Sequence, residues 1–169
     1  VFFAELRQSG VAATAGSNDY SRGFAAISTL FPDANYDGDI KSFLSQIATL
    51  DGGDINLVAP GGSVNAGVAA ATGITKKPSE LGITAQRSGD INGFANRNFL
   101  VNQSRVFALD GGDIMLWSSA GDIDAGKGAK TALTIPPPTV TVDNKGNAIV
   151  EFPAAISGSG IRGAVSTPG

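Results

Sequence analysis

Asp33, Asn35 and Asp37, followed by Gly38, open the stretch DANYDGDI with oxygen side chains at every second position. That spacing matches the start of a calcium-binding loop, where alternating carboxylate and amide oxygens converge on one ion before a glycine turn. Such a loop also needs a bidentate acid six residues after the glycine, and that position is Leu44. Without it Asp33, Asn35 and Asp37 are a weak calcium candidate, and a polar turn leading into a strand accounts for them as well. The other carboxylates with a pattern are Asp54, Asp113 and Asp122, each after a glycine. Paired carboxylates are what glycoside hydrolysis requires. These three, however, are read as equivalent positions of a repeat, and acids that recur in every unit are better explained by turns, where Asp bonds nearby backbone N–H groups. The chain has no histidine and no cysteine, so imidazole base catalysis, thiol nucleophiles, thiolate metal sites and disulfides are all absent. The glycine-rich SGSGIRG near the C-terminus lacks the lysine and following hydroxyl of a phosphate loop. No catalytic residue, cofactor or further metal ligand is assigned.

What positions these residues is a repeat. Gly-Asp-Ile occurs five times, beginning at Gly38, Gly53, Gly89, Gly112 and Gly121, so Gly38 already has an explanation other than calcium. Shifting the chain by 59 residues aligns LDGGDINLVAPGGSVNAGVAAATG (50–73) with LDGGDIMLWSSAGDIDAGKGAKTA (109–132), with 12 of 24 positions identical. A third copy, SGDINGFANRNFLVNQS, fills 88–104. Such self-similarity is read before any single-site motif.

Each copy follows one plan. A glycine turn leads into alternation, with Ile55, Leu57 and Ala59 on one face and Asp54, Asn56 and Val58 on the other. A second turn (PGG at 60–62, SAG at 119–121) then gives a shorter strand, Val64–Ala66 or Ile123–Ala125. Period-two pieces of three to six residues are strands. Strands this short bury their apolar face only by stacking on equivalents above and below, about 4.8 Å away. The fold class expected is all-β: a right-handed parallel β-helix, or solenoid, with a short flanking helix and an extruded β-hairpin. A β-sandwich would explain the strands but not the self-similarity. Residues 1–169 are expected to be a single β-helical segment of a longer chain, because the sequence opens without an initiator Met.

Two segments depart from the repeat. Phe24, Ile27 and Phe31 recur at helical spacing within 18–32, after polar Asn18, Asp19 and Ser21 and before Pro32, which predicts a short amphipathic helix. Gly23 argues against it locally. The helix is expected to cover exposed coil edges, with partner binding as the functional alternative. The second excursion is 134–153. Three consecutive prolines cannot lie in a central strand, and the alternation of Val140 and Val142, the turn DNKGN and the run AIVEF predict a hairpin. Trp117, the single tryptophan, faces outward if Ile114 and Leu116 face in. An exposed indole could stack on a sugar, but a place beneath the hairpin is the expectation.

Composition bounds the rest. At 42% hydrophobic and 16% charged residues the chain has too much apolar material to remain a solvated tail. A net charge of −3 offers no reason to expect nucleic acid. Twenty-three glycines, spread along the chain, fit many tight turns.

From about Tyr20 onward the chain resembles the filamentous haemagglutinin-like exoproteins of Gram-negative bacteria, through YDGDI, GGDINLVAPGGSVNAG, SGDINGFANRNFLVNQS, GSGIRG and above all ALDGGDIMLWSSAGDIDAGKGAKTA with the PPPTV that follows. The resemblance is to the β-helical region downstream of their secretion domain. It implies two-partner secretion through an outer-membrane transporter, a location outside the cell, and a non-catalytic shaft serving adhesion or biofilm cohesion. The partners it implies are neighbouring coils and host-cell or matrix glycans or proteins. The family carries no catalytic residues to transfer. A carbohydrate-active β-helix enzyme is the alternative.

Overall fold

The segments read as strands from their alternation are extended in the computed structural model, which describes residues 1–12, 19–33, 35–69, 76, 80–127, 133–134, 138–151 and 156–164. The order is α1 (Phe2–Ala12), α2 (Ser21–Leu30), β1 (Ile40–Lys41), β2 (Gln46–Thr49), β3 (Ile55–Ala59), β4 (Val64–Asn65), β5 (Gly82–Ala85), β6 (Ile91–Ala95), β7 (Phe99–Leu100), β8 (Arg105–Leu109), β9 (Ile114–Ser118) and β10 (Ile123–Asp124). There follow β11 (Leu133–Thr134), β12 (Thr139–Val142), β13 (Ala148–Glu151), β14 (Ile156–Ser157) and β15 (Gly160–Ala164).

Three sheets are parallel throughout: sheet A in the order β1-β4-β7-β10, sheet B in the order β2-β5-β8-β15, and sheet C in the order β3-β6-β9. From β1 to β10 the chain visits A, B and C in rotation, and each return lands beside the strand laid down one round earlier. Apart from the longer connection between β4 and β5, each turn from β1 to β10 must therefore aim the chain at the next sheet within a few residues. Positive φ at Gly52, Gly53, Gly111 and Gly112 does this before β3 and β9, a conformation in which glycine has no side chain to strain.

Register keeps like on like. Ile55, Ile91 and Ile114 are aligned, as are Ala59, Ala95 and Ser118. In sheet B, Ile47, Ile83, Val106 and Ile161 form another column. These inward columns join Val64, Phe99 and Val101 of the third side in one core. Removing a side chain such as Ile83, Phe99 or Val106 from water is worth about 1.5–3 kcal/mol, and all three are fully buried. The column Leu57–Gly93–Leu116 contains a glycine because Phe99 fills the space: a Cβ at Gly93 would lie 2.9 Å from Leu116 Cδ2. An interior glycine here marks close packing.

A second apolar cluster lies on the outer face of sheet C. Phe94 and Trp117 are covered by Leu6 of α1, with Phe2, Phe3, Ile27, Phe31, Val58 and Met115 around them. α2 falls inside the expected 18–32 span, with Asp19 accepting the Ser21 N–H at 2.9 Å at its start and Pro32 just beyond its end. It packs on a sheet face, as a flanking helix should, and not over the coil edges. α1 gave no comparable signal in the sequence. The hairpin is present: β12 and β13 are antiparallel, with Val140 opposite Val150 across the turn at 143–147. Trp117 does not lie beneath it. The indole is buried under α2, edge-on to Tyr20 and Phe24 with centroids 5.7 and 5.5 Å away. The reason is Gly23, whose missing side chain lets α2 descend onto the ring: a Cβ there would sit 2.9 Å from Trp117 Cζ3.

Candidate functional site

The Gly-Asp-Ile aspartates gather into two ladders, one at the entry to each of two sheets. At the entry to sheet C, the Asp90 N–H donates to Asp54 Oδ1 at 2.9 Å and the Asp113 N–H to Asp90 Oδ1 at 2.8 Å. At the entry to sheet A, the Ser63 N–H donates to Asp39 Oδ1 at 2.8 Å, the Asn98 N–H to Ser63 Oγ at 3.2 Å, and the Asp122 N–H to Asn98 Oδ1 at 2.9 Å. Asp122 thus belongs to a different column from Asp54 and Asp113. The shared tripeptide concealed this, because one round uses the same turn chemistry at two corners. Serine and asparagine stand in for aspartate in the second column, since each offers a side-chain oxygen that accepts.

Amide ladders run beside these. Asn92 Nδ2 donates to Asn56 Oδ1 at 3.0 Å on the outer face of sheet C, and Asn102 Nδ2 donates to Asn65 Oδ1 at 3.0 Å after sheet A. α1 is tied to the first ladder through Arg7, which ion-pairs with Asp113 and, at 3.3 Å, with Asp90. Glu5 of α1 pairs with Arg22 of α2.

Four carboxylates have their pKa lowered by their hydrogen-bond partners. Asp39 is held below the usual carboxylate range, chiefly by its hydrogen bond from Lys41 and then by the Ser63 N–H. Glu5 is lowered by Arg22, Asp19 by Ser21 and Asp143 by Asn147. A general acid needs the opposite displacement. Asp33, Asn35 and Asp37 are exposed between α2 and β1. Among the described residues no group of three or more acids is placed to share a metal ion.

Two features had no signal in the sequence. Arg105 is buried on the outer face of sheet B, 5.1 Å above the Phe107 ring, and burial lowers its pKa. The other is a groove of about 700 Å³ along the side of β9 that no described strand pairs, roofed by Leu6, Val11, Tyr20 and Phe24 and floored by Trp117. Only the packing of α1 and α2 creates it, so a strand pattern could not reveal it.

No curated protein and no solved structure matches this chain. A family model does, over residues 111–169, and it is described as a filamentous haemagglutinin family outer membrane protein. The match takes in the most specific part of the resemblance, from GGDIMLW through the hairpin, and it is shorter than the stretch from Tyr20 on which that resemblance was read. The C-terminal third of the chain therefore carries the signature of the filamentous haemagglutinin family.

Proposed function

We propose that this chain is a stretch of a right-handed parallel β-helix forming the non-catalytic shaft of a secreted surface fibre, which holds adhesive surfaces away from a bacterial cell. One observation carries the reading: the rotation A, B, C repeats in register, with side-chain ladders joining round to round at two corners. Side chains used to bind the neighbouring round build stiffness along an axis. Right-handedness follows from the general preference of parallel crossover connections. Residues 1–169 act as one segment of a longer chain, delivered outward by an outer-membrane transporter, and the family match over 111–169 supports a place at the cell surface. The hairpin and the α1–α2 pair are the irregular parts available for contact with glycans or proteins, since binding concentrates where a scaffold departs from regularity. Asp33, Asn35 and Asp37 act as a polar turn.

The test is a glycan and matrix-protein array read in parallel with release of reducing sugar from the same glycans. Retention on the array with no sugar release is the expected result. Sugar release by the purified chain would overturn the shaft reading in favour of a carbohydrate-active enzyme.

A further inference from the structure

Four steps of this chain place Asp or Asn before Gly: Asp37–Gly38, Asp51–Gly52, Asn92–Gly93 and Asp110–Gly111. Such steps cyclise readily, because glycine has no side chain to hinder attack by its own nitrogen on the preceding side-chain carbonyl carbon. The attack requires that nitrogen to shed its proton and swing towards the side chain. A hydrogen bond from the glycine N–H to a neighbouring round opposes both movements.

Three of the four steps are restrained in this way. The Gly52 N–H donates to Gln86 O at 3.0 Å and the Gly111 N–H to Ala164 O at 3.3 Å. The Asp51 carboxylate is also held by Arg87 at 2.8 Å. Asn92 and Gly93 lie within β6, which is paired on both sides, and Asn92 Nδ2 donates to Asn56 Oδ1 at 3.0 Å. Asp37–Gly38 differs. Both residues are exposed, and among the described residues no backbone acceptor takes the Gly38 N–H. Nothing lies within 4 Å of the place a Gly38 Cβ would occupy, so no neighbour blocks the approach.

We infer that Asp37–Gly38 is a self-modifying site, where Asp37 converts to isoaspartate while contacts between rounds protect the other three steps. The Gly38 nitrogen bonds to Asp37 Cγ, and its proton leaves with the hydroxyl of the protonated carboxyl as water. Water then reopens the five-membered succinimide. Entry at Cγ restores aspartate, whereas entry at the Asp37 main-chain carbonyl carbon leaves the chain running through Cβ and Cγ. One water departs and one enters, so mass and redox state are unchanged and no co-reactant is required. The product matters because of what the turn rests on. Gly61 and Gly62 have no side chains where Tyr36 O and Gly38 O pass, and Asp39 Oδ1 accepts the Ser63 N–H at 2.8 Å. An extra backbone carbon before Gly38 shifts this stack, so the modified chain loses the Asp39–Ser63 rung and β1 loosens from β4. The inference needs only these hydrogen bonds and not the shaft reading.

The test is to age the full chain at neutral pH, folded and in urea, and to locate isoaspartate by peptide mapping with electron-transfer fragmentation. In the folded chain isoaspartate at Asp37 is expected to exceed that at Asp51 or Asp110 by about tenfold, the factor that one intact hydrogen bond sets on local opening. In urea the three sites should converge. Asp37→Asn should react faster at the same position and report it through the mass gained as the amide becomes an acid. Amide exchange at Ser63 should quicken in the aged wild type and stay slow in aged Asp37→Glu, whose longer side chain would have to close a six-membered ring. Equal isoaspartate at the three Asp–Gly steps of the folded chain, or none at Asp37, would overturn the assignment. Unchanged Ser63 exchange in a chain carrying isoaspartate at position 37 would overturn the loss of the rung.

Discussion

Gly23 lies in α2 with Trp117 where its side chain would be. Gly23→Val should lift the helix from the indole at a cost of about 1–3 kcal/mol, the usual penalty for overpacking. As Trp117 is the only tryptophan, its fluorescence should shift to the red in the folded variant; an unshifted spectrum would mean α2 does not rest there. The glycine had argued against a helix on propensity, and that was a misreading of its purpose. A one-dimensional pattern reports the entropic cost of glycine but not the ring it makes room for. The hairpin turn gives a pH-dependent counterpart. Asp143 is held below its ordinary value, first by the Asn147 side chain and then by backbone N–H groups of Asn147, Lys145 and Gly146. A lowered carboxylate stabilises fully above the unfolded-state value, and that contribution disappears as pH falls through the folded one. Cross-strand NMR contacts between Val140 and Val150 should therefore weaken at acid pH, and Asp143→Ala should weaken them at neutral pH as well. Contacts indifferent to both would contradict this role.

Elements are held by the ladders, and Asp90 is the middle rung of one. Asp90→Ala removes the acceptor of the Asp113 N–H and one of the two acids that fix Arg7 of α1. A loss of about 1–3 kcal/mol in urea unfolding is expected, with Asp90→Asn recovering part of it because an amide oxygen still accepts. Equal losses in the two variants would mean that the ladder bond contributes little. The same logic disposes of the opening motif. If Asp33, Asn35 and Asp37 are a turn, millimolar calcium should leave the melting temperature unchanged, and a rise on addition would reinstate the metal loop. Strands β3, β6 and β9, the β12–β13 hairpin and α2 were legible because each is written in local alternation, spacing or turn residues. α1 was not, since its apolar face makes sense only against Phe94 and Trp117. The two-column arrangement was hidden for a related reason: an identical tripeptide can turn the chain at either corner, and only pairing partners tell which.

For the whole molecule the central claim is that the two LDGGDI copies occupy one sheet with the third copy between them. Sheet C places Asn56 beside Asn92, and Asn92 beside Met115. Neighbouring parallel strands about 4.8 Å apart bring paired cysteines within disulfide reach, whereas strands two steps apart, about 9.6 Å, do not. The chain has no cysteine of its own, so introduced pairs report cleanly. The decisive measurement is oxidation, at high dilution, of three double-cysteine variants at 56 and 92, at 92 and 115, and at 56 and 115. The account predicts intramolecular disulfides in the first two and none in the third; a disulfide within one molecule between positions 56 and 115, with neither of the others forming, would contradict it.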